Sequence, residues 1–216
     1  MTESNFYSPE AVKPLYDEIV PAYQSAFAGE PWYEVSKCTD KFRRCVGGLS
    51  ALAVGQSCEL CNASPSRSAY EPAELIERFE RLAASRPTAW YTERAEDGLT
   101  LAAIAWQSPA LTIAEEKYAD VPEMAEWMSE QVGKEPIVWL DEVFANRALK
   151  ISGNLRNFGA MNRGFMERLG SNTLAFRTIN ERMVAATKRD FASQSSVFEG
   201  RVMVPDRREF VVIKAN

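Results

Sequence analysis

The 216-residue chain contains no histidine. That absence excludes a Ser-His-Asp triad, a Cys-His dyad, a histidine-ligated zinc and a haem held by a proximal histidine. Basic charge is not in excess either: 25 Lys and Arg stand against 30 Asp and Glu, a net charge of -5. Nucleic-acid affinity comes mainly from clustered cations that neutralise phosphates, so no nucleic-acid partner is expected. Long hydrophobic runs are also missing. The longest uncharged stretch, 98–114, is interrupted by Gln107, Ser108 and Pro109, whereas a membrane helix needs about 20 mostly apolar residues. No membrane association is expected. Residues 1–10 hold neither a basic nor an apolar segment, so no signal peptide is read there and the protein is placed in the cytoplasm. Thiols stay reduced in that compartment, and the four cysteines then need a role other than disulfides.

What is present is globular: 46% hydrophobic and 25% charged residues over a length that can bury a sizeable core. Apolar residues at Val12, Leu15, Tyr16, Ile19, Val20, Tyr23 and Phe27 have helical spacing over 10–27, with Ser8 as N-cap and Pro9 in the first turn. A second helix is predicted from Glu71, with Leu75, Ile76, Phe79 and Leu82 on one face. Between them, residues 30–70 lack periodicity and carry all four cysteines. The segment 87–109 reads as a hairpin turning at Glu96-Asp97-Gly98. A helix at 122–131 precedes a buried strand at 137–145 that holds the acidic pair Asp141-Glu142. Then follow a polar loop, a helix from Gly159 to Leu169 stopped by Gly170, a strand at 173–178, a helix at 180–189 and a final hairpin of 196–204 with 209–214 around Pro205-Asp206. This alternation predicts one α/β domain around a mixed sheet.

Arg156-Asn157-Phe158-Gly159-Ala160 joins the polar loop to a helix, where several backbone N–H groups have no intrahelical partner. Such a turn, at the positive end of the helix dipole, can cradle a pyrophosphate. Together with the strand 139–145, the strand 174–178 and the helix opening at Asn180, this turn resembles the GNAT superfamily of N-acetyltransferases. The resemblance covers roughly 71–216 in element order. It implies a GNAT-like mixed β-sheet flanked by helices, a single domain over 1–216, with residues 30–70 as a zinc-knuckle-like insertion.

The resemblance also implies an acetyl-CoA site. Phe144 and Ala145 would offer backbone groups to the pantetheine arm. The backbone of Arg156, Asn157, Phe158, Gly159, Ala160 and Met161 would hold the pyrophosphate, and Asn180 would contact the pantetheine. Glu142 matches a strand position that serves some members as general base, against the alternative of a strand glutamate facing solvent or pairing with an arginine. Alternation along the strand turns Asp141 the opposite way, so at most one of the pair is expected in the site. Three departures from the family pattern stand out. The loop 146–155 is long, Met161 replaces a small residue, and the tyrosine usual near the end of the last helix is absent, the chain reading Ala186-Thr187-Lys188-Arg189-Asp190-Phe191. No tyrosine follows Tyr118.

Cys38, Cys45, Cys58 and Cys61 have the closing Cys-x2-Cys of a metal knuckle, although the first gap is wide. Four thiolates make a closed tetrahedral zinc site, which is structural and not catalytic. Four unrelated buried thiols, or a redox pair at Cys58 and Cys61, are the competing readings. Just before the cluster, Trp32, Tyr33 and Glu34 would recognise a cationic amine or, more plainly, staple the first helix to the core. The Arg207-Arg208 pair reads as a solvated turn. The function expected is transfer of acetyl from acetyl-CoA to a primary amine of a small molecule or peptide. The alternatives are a non-catalytic, zinc-stabilised acyl-CoA-binding protein and a protein-interaction module. A homodimer is compatible with each, and the sequence does not choose an oligomeric state.

Overall fold

The computed structural model describes residues 3–30, 32–39, 49–58, 61–62, 66–119, 123–146, 157–178, 180–191, 198–200 and 209–214. The chain opens with strand β1 (Glu3–Tyr7), a short α1 (Pro9–Val12), a 3-10 turn (Lys13–Leu15) and α2 (Tyr16–Ala28). Ser8 caps α1 by accepting the Ala11 N–H at 3.3 Å. The single helix expected over 10–27 is therefore divided, with Pro14 lying in the 3-10 turn between the two pieces. Next come β2 (Ser36–Lys37), β3 (Leu49–Ser50), β4 (Arg67–Ser68), α3 (Pro72–Ser85), β5 (Thr88–Ala95) and β6 (Gly98–Pro109). The hairpin turn falls where the sequence places it, and Gly98 has φ +115, a conformation that side chains disfavour.

Helices α4 (Ala110–Lys117) and α5 (Glu123–Val132) lead into β7 (Pro136–Ala145). Then follow α6 (Phe158–Leu169), β8 (Thr173–Thr178), α7 (Glu181–Phe191), β9 (Phe198–Gly200) and β10 (Glu209–Lys214). Gly170 ends α6 in the left-handed conformation, φ +68, and its N–H returns to the last turn of the helix. Strand β9 pairs antiparallel with β10 as the final hairpin requires. Its turn, with Pro205, Asp206, Arg207 and Arg208, lies outside the described residues.

The large sheet has the order β1-β5-β6-β7-β8-β10-β9, and β3-β2-β4 form a separate small sheet. Helices cover both faces of the large sheet. On one, Phe158, Phe165 and Phe191 of α6 and α7 pack over Leu140 and Phe176. On the other, α2 and α3 pack Tyr23 and Phe79 against Trp90, Ile104 and Phe144, and α4 and α5 close over Trp106, Trp139 and Phe210. Among the described residues, no helix is long and apolar enough to cross a membrane.

Two irregularities position the site. The parallel strands β7 and β8 pair only at Val138 with Leu174 and at Trp139 with Ala175. Beyond Trp139 they separate and leave a cleft. On the other side of β7, Ile104 pairs with Glu142 but Ala105 pairs with Leu140, so Asp141 is an extra residue, a β-bulge.

Candidate active site

The cleft opens into a cavity of about 800 Å³ between α2, α3, α7 and the separating ends of β7 and β8. Asp141 and Glu142 both line it. This corrects the expectation that alternation would admit only one of them: the bulge inserts Asp141 and breaks the period of two. Arg78 of α3 draws the pair together, its Nη2 donating to Glu142 Oε1 at 2.9 Å and to Asp141 Oδ2 at 3.4 Å. Its Nη1 donates to the Tyr23 hydroxyl at 2.9 Å, and that hydroxyl lies 3.2 Å from Glu142 Oε1, to which it donates. Asp141 also receives Lys117 of α4 and, at 3.1 Å, the Trp139 indole N–H.

The two carboxyls are thereby driven apart. Burial pushes Asp141 up, but the Lys117 and Arg78 cations outweigh it and hold the carboxyl below its ordinary range. Glu142 is raised, first by burial and then by the Asp141 charge beside it. A carboxylate with raised basicity, still 21% exposed toward the cavity, is suited to take a proton from a bound group. Burial works against the Arg78 charge too, yet Tyr23, Glu142 and Asp141 outweigh it and keep the guanidinium protonated. Burial, more than any neighbour, raises the Tyr23 hydroxyl.

Aromatic residues and one more carboxylate form the other end. Tyr70 donates its hydroxyl to Glu34, and both line the cavity with Trp32. Trp32 also packs on Phe27 with ring centroids 5.8 Å apart, so it both staples α2 and faces the pocket. Tyr33 does not line the cavity; it is 46% exposed and donates its hydroxyl to Glu30.

Of the residues expected to hold the cofactor, Phe144, Ala145 and Asn180 line the cavity. Asn180 also caps α7, accepting the Arg182 N–H at 3.0 Å. Residues 157–161 do not line it. Phe158 and Met161 turn into the core, and the Asn157 amide donates to Glu93 at 3.1 Å. The Gly159 N–H donates to Asp190 Oδ2 at 2.9 Å. Arg156 lies outside the described residues.

Three of the four cysteines meet. The sulfurs of Cys38, Cys58 and Cys61 lie within 4.8 Å of one another, with Cys38 and Cys61 at 3.6 Å. Thiolates about 2.3 Å from a tetrahedral metal stand about 3.8 Å apart, so this spacing fits a metal centre. Cys45 lies outside the described residues. The cluster adjoins the small sheet, whose strands β2 and β4 lead directly to Glu34 and Tyr70.

No protein-family model matches the chain, and no curated protein matches it. Solved structures do. The acyl-homoserine-lactone (AHL) synthase LasI is similar over 100% of this chain and 91% of its own, at 12% identity and a TM-score of 0.55. The C-terminal condensation domain of Ebony, solved in complex with beta-alanyl-dopamine, is similar over 99% and 97%, at 8% identity and 0.53. The aminoglycoside N-acetyltransferase AAC(6')-Ib11 is similar over 100% and 97%, at 12% identity and 0.51. The fold, a mixed sheet flanked by helices, is shared with these three structures.

Glu142, expected in the site from the resemblance, lines the cavity, and its partners there carry little signal in the sequence. The helical spacing places Tyr23 in the core, and it is 1% exposed, but its hydroxyl reaches the site. Arg78 carries no signal in sequence beyond being a cation on an amphipathic helix. Lys117 sits on α4, a helix hidden behind the uncharged run 98–114.

Proposed function

We propose that the protein is an N-acetyltransferase that moves acetyl from acetyl-CoA to a primary amine of a small molecule or peptide by direct transfer. The observation that carries this reading is the paired Asp141 and Glu142, held on the bulge of β7 and facing the cavity where β7 and β8 separate. The amine nitrogen attacks the thioester carbonyl, the new C–N bond forms and the C–S bond breaks. The proton lost by the amine passes to Glu142, directly or through water. The thiolate takes its proton from water or another group, since the late tyrosine of the family pattern is absent. Alignment of the two substrates in the cleft supplies much of the acceleration, an effect that can reach roughly 7–11 kcal/mol.

Phe144, Ala145 and Asn180 take the pantetheine arm. The acceptor lies toward Trp32, Tyr70 and Glu34. There Arg78 and Lys117 offset the charges of Asp141 and Glu142, and Glu34 adds one more negative charge, which favours a cationic acceptor. The whole chain, 1–216, acts as one catalytic domain with 30–70 as its insertion. Cys38, Cys58 and Cys61, with Cys45, hold a structural zinc in a reducing cytoplasm. The absence of the late tyrosine favours a second reading, a non-catalytic acyl-CoA-binding protein on the same fold. Calorimetric titration with acetyl-CoA and thiol release over a panel of amines decide between them. Binding with turnover supports the enzyme, binding without turnover on any amine supports the second reading, and no binding at millimolar acetyl-CoA refutes both.

A further inference from the structure

The start of α6 is the place where a donor diphosphate would meet unpaired backbone N–H groups. In this chain a carboxylate is already there. Asp190, next to last in α7, accepts the Gly159 N–H on Oδ2 at 2.9 Å. The bare face of Gly159 is filled by the same residue: a Cβ at position 159 would come 2.5 Å from Asp190 Cβ and 2.8 Å from its carboxylate. The glycine therefore serves the close approach of α7 to α6. A second carboxylate stands nearby, since Glu93, 3% exposed, accepts the Asn157 amide and the Tyr91 hydroxyl.

Two neighbouring cations, Arg189 and Arg163, are turned toward this arrangement. Arg189 bonds both Asp190 oxygens, at 2.6 and 2.9 Å, and Arg163 reaches the Asp190 carbonyl at 3.3 Å and stacks on Phe191. Arg189 foremost, with help from the Gly159 N–H and Arg163, holds the Asp190 carboxyl below its ordinary range, so it is charged at neutral pH. The cavity meanwhile is lined by Phe144, Ala145 and Asn180 and by no residue from 157 to 161.

Resting on the acyl-donor reading above, we propose that Asp190 is a specificity-determining residue for the donor. Its carboxylate stands where a diphosphate would bind on α6, and the thioester is held by its pantetheine arm in the β7–β8 cleft. The nucleotide end of coenzyme A then adds little affinity, and a donor that presents only the pantetheine thioester binds comparably.

Calorimetry on the full chain compares acetyl-CoA with S-acetylpantetheine, which has no diphosphate. The wild-type dissociation constants are expected to differ by less than about tenfold. Asp190→Asn keeps an acceptor for the Gly159 N–H and removes the charge. It is expected to tighten acetyl-CoA by about fivefold, the scale of one unit-charge contact near 4 Å in water, and to leave S-acetylpantetheine unchanged. A wild-type preference for acetyl-CoA of about tenfold or more, or an Asp190→Asn variant that binds acetyl-CoA no tighter, overturns the inference while leaving the donor reading intact. Failure of both thioesters to bind overturns the donor reading, and the inference with it.

Discussion

Replacing Arg78 with methionine removes the one side chain among the described residues that hydrogen-bonds to Tyr23, Asp141 and Glu142 together. Asp141 keeps Lys117 and the Trp139 indole, but among the described residues Glu142 keeps only the Tyr23 hydroxyl. Breaking a buried ion pair from one side costs roughly 3–5 kcal/mol, and the Arg78 side chain is 35% exposed, so screening reduces the loss to about 2–3 kcal/mol. The loss depends on pH in a definite direction. Glu142 already has a folded pKa above its ordinary 4.5, and without Arg78 it rises further. A group whose folded pKa is raised favours the folded state at pH below its unfolded value, and that contribution is lost as pH rises through the folded pKa. The deficit of Arg78→Met is therefore small near pH 4.5 and reaches its full size at neutral pH. Asp141 moves the other way: its depressed pKa contributes stability above 3.8 that is lost only as pH falls through its folded value, so it does not blur this window. Urea unfolding followed by tryptophan fluorescence measures both values. Adding Glu142→Gln to Arg78→Met should restore about 1–2 kcal/mol, because the uncompensated charge is gone. A deficit that is equal at both pH values, with strictly additive single variants, would refute the coupling.

Further outcomes are expected. The acid limb of kcat/KM should lie above the ordinary glutamate value of 4.5, because the base must lose its proton and its pKa is raised; Glu142→Gln should abolish that limb. Freshly purified, reduced protein should contain one zinc per chain by elemental analysis. Stripping it should raise the acceptor KM while leaving the acetyl-CoA dissociation constant unchanged, because β2 and β4 lead to Glu34 and Tyr70 and not to the donor cleft. Gly164→Ala should lower stability by about 1–3 kcal/mol despite a gain of about 1 kcal/mol in helix propensity. Its Cβ would come 2.3 Å from Phe6 Cζ, and Phe6 is set between Tyr91 and Phe165; thermal unfolding measures the change.

Local signals made much of the fold legible. Gly170 after an apolar-periodic helix and Asp97-Gly98 between two β-prone runs state their own backbone geometry, and both turns fall where expected. Strand β1 was not legible, because Glu-Ser-Asn at a sheet edge has no apolar alternation, and its strand character comes from pairing with β5. Helix α4 was lost for the opposite reason, since an uncharged run containing Pro109 conceals where strand ends and helix begins. In the site, Glu142 is singled out by the resemblance and not by its strand alone, and it lines the cavity. The shared orientation of Asp141 could not be read from the sequence, because a bulge is a property of two strands in register. The Arg-x-x-Gly turn shows the limit of a short motif: the glycine is where a cradle needs it, and Asp190, 31 positions later, fills the space.

In the proposed reaction, Glu142 takes the proton from an amine in the β7–β8 cleft. Single-turnover acetyl transfer in Glu142→Gln, on the amine that wild-type protein acetylates fastest, tests it most directly. The expected rate is lower by roughly 10²–10⁴-fold, with acetyl-CoA binding retained. A variant that transfers acetyl at the wild-type rate would contradict it.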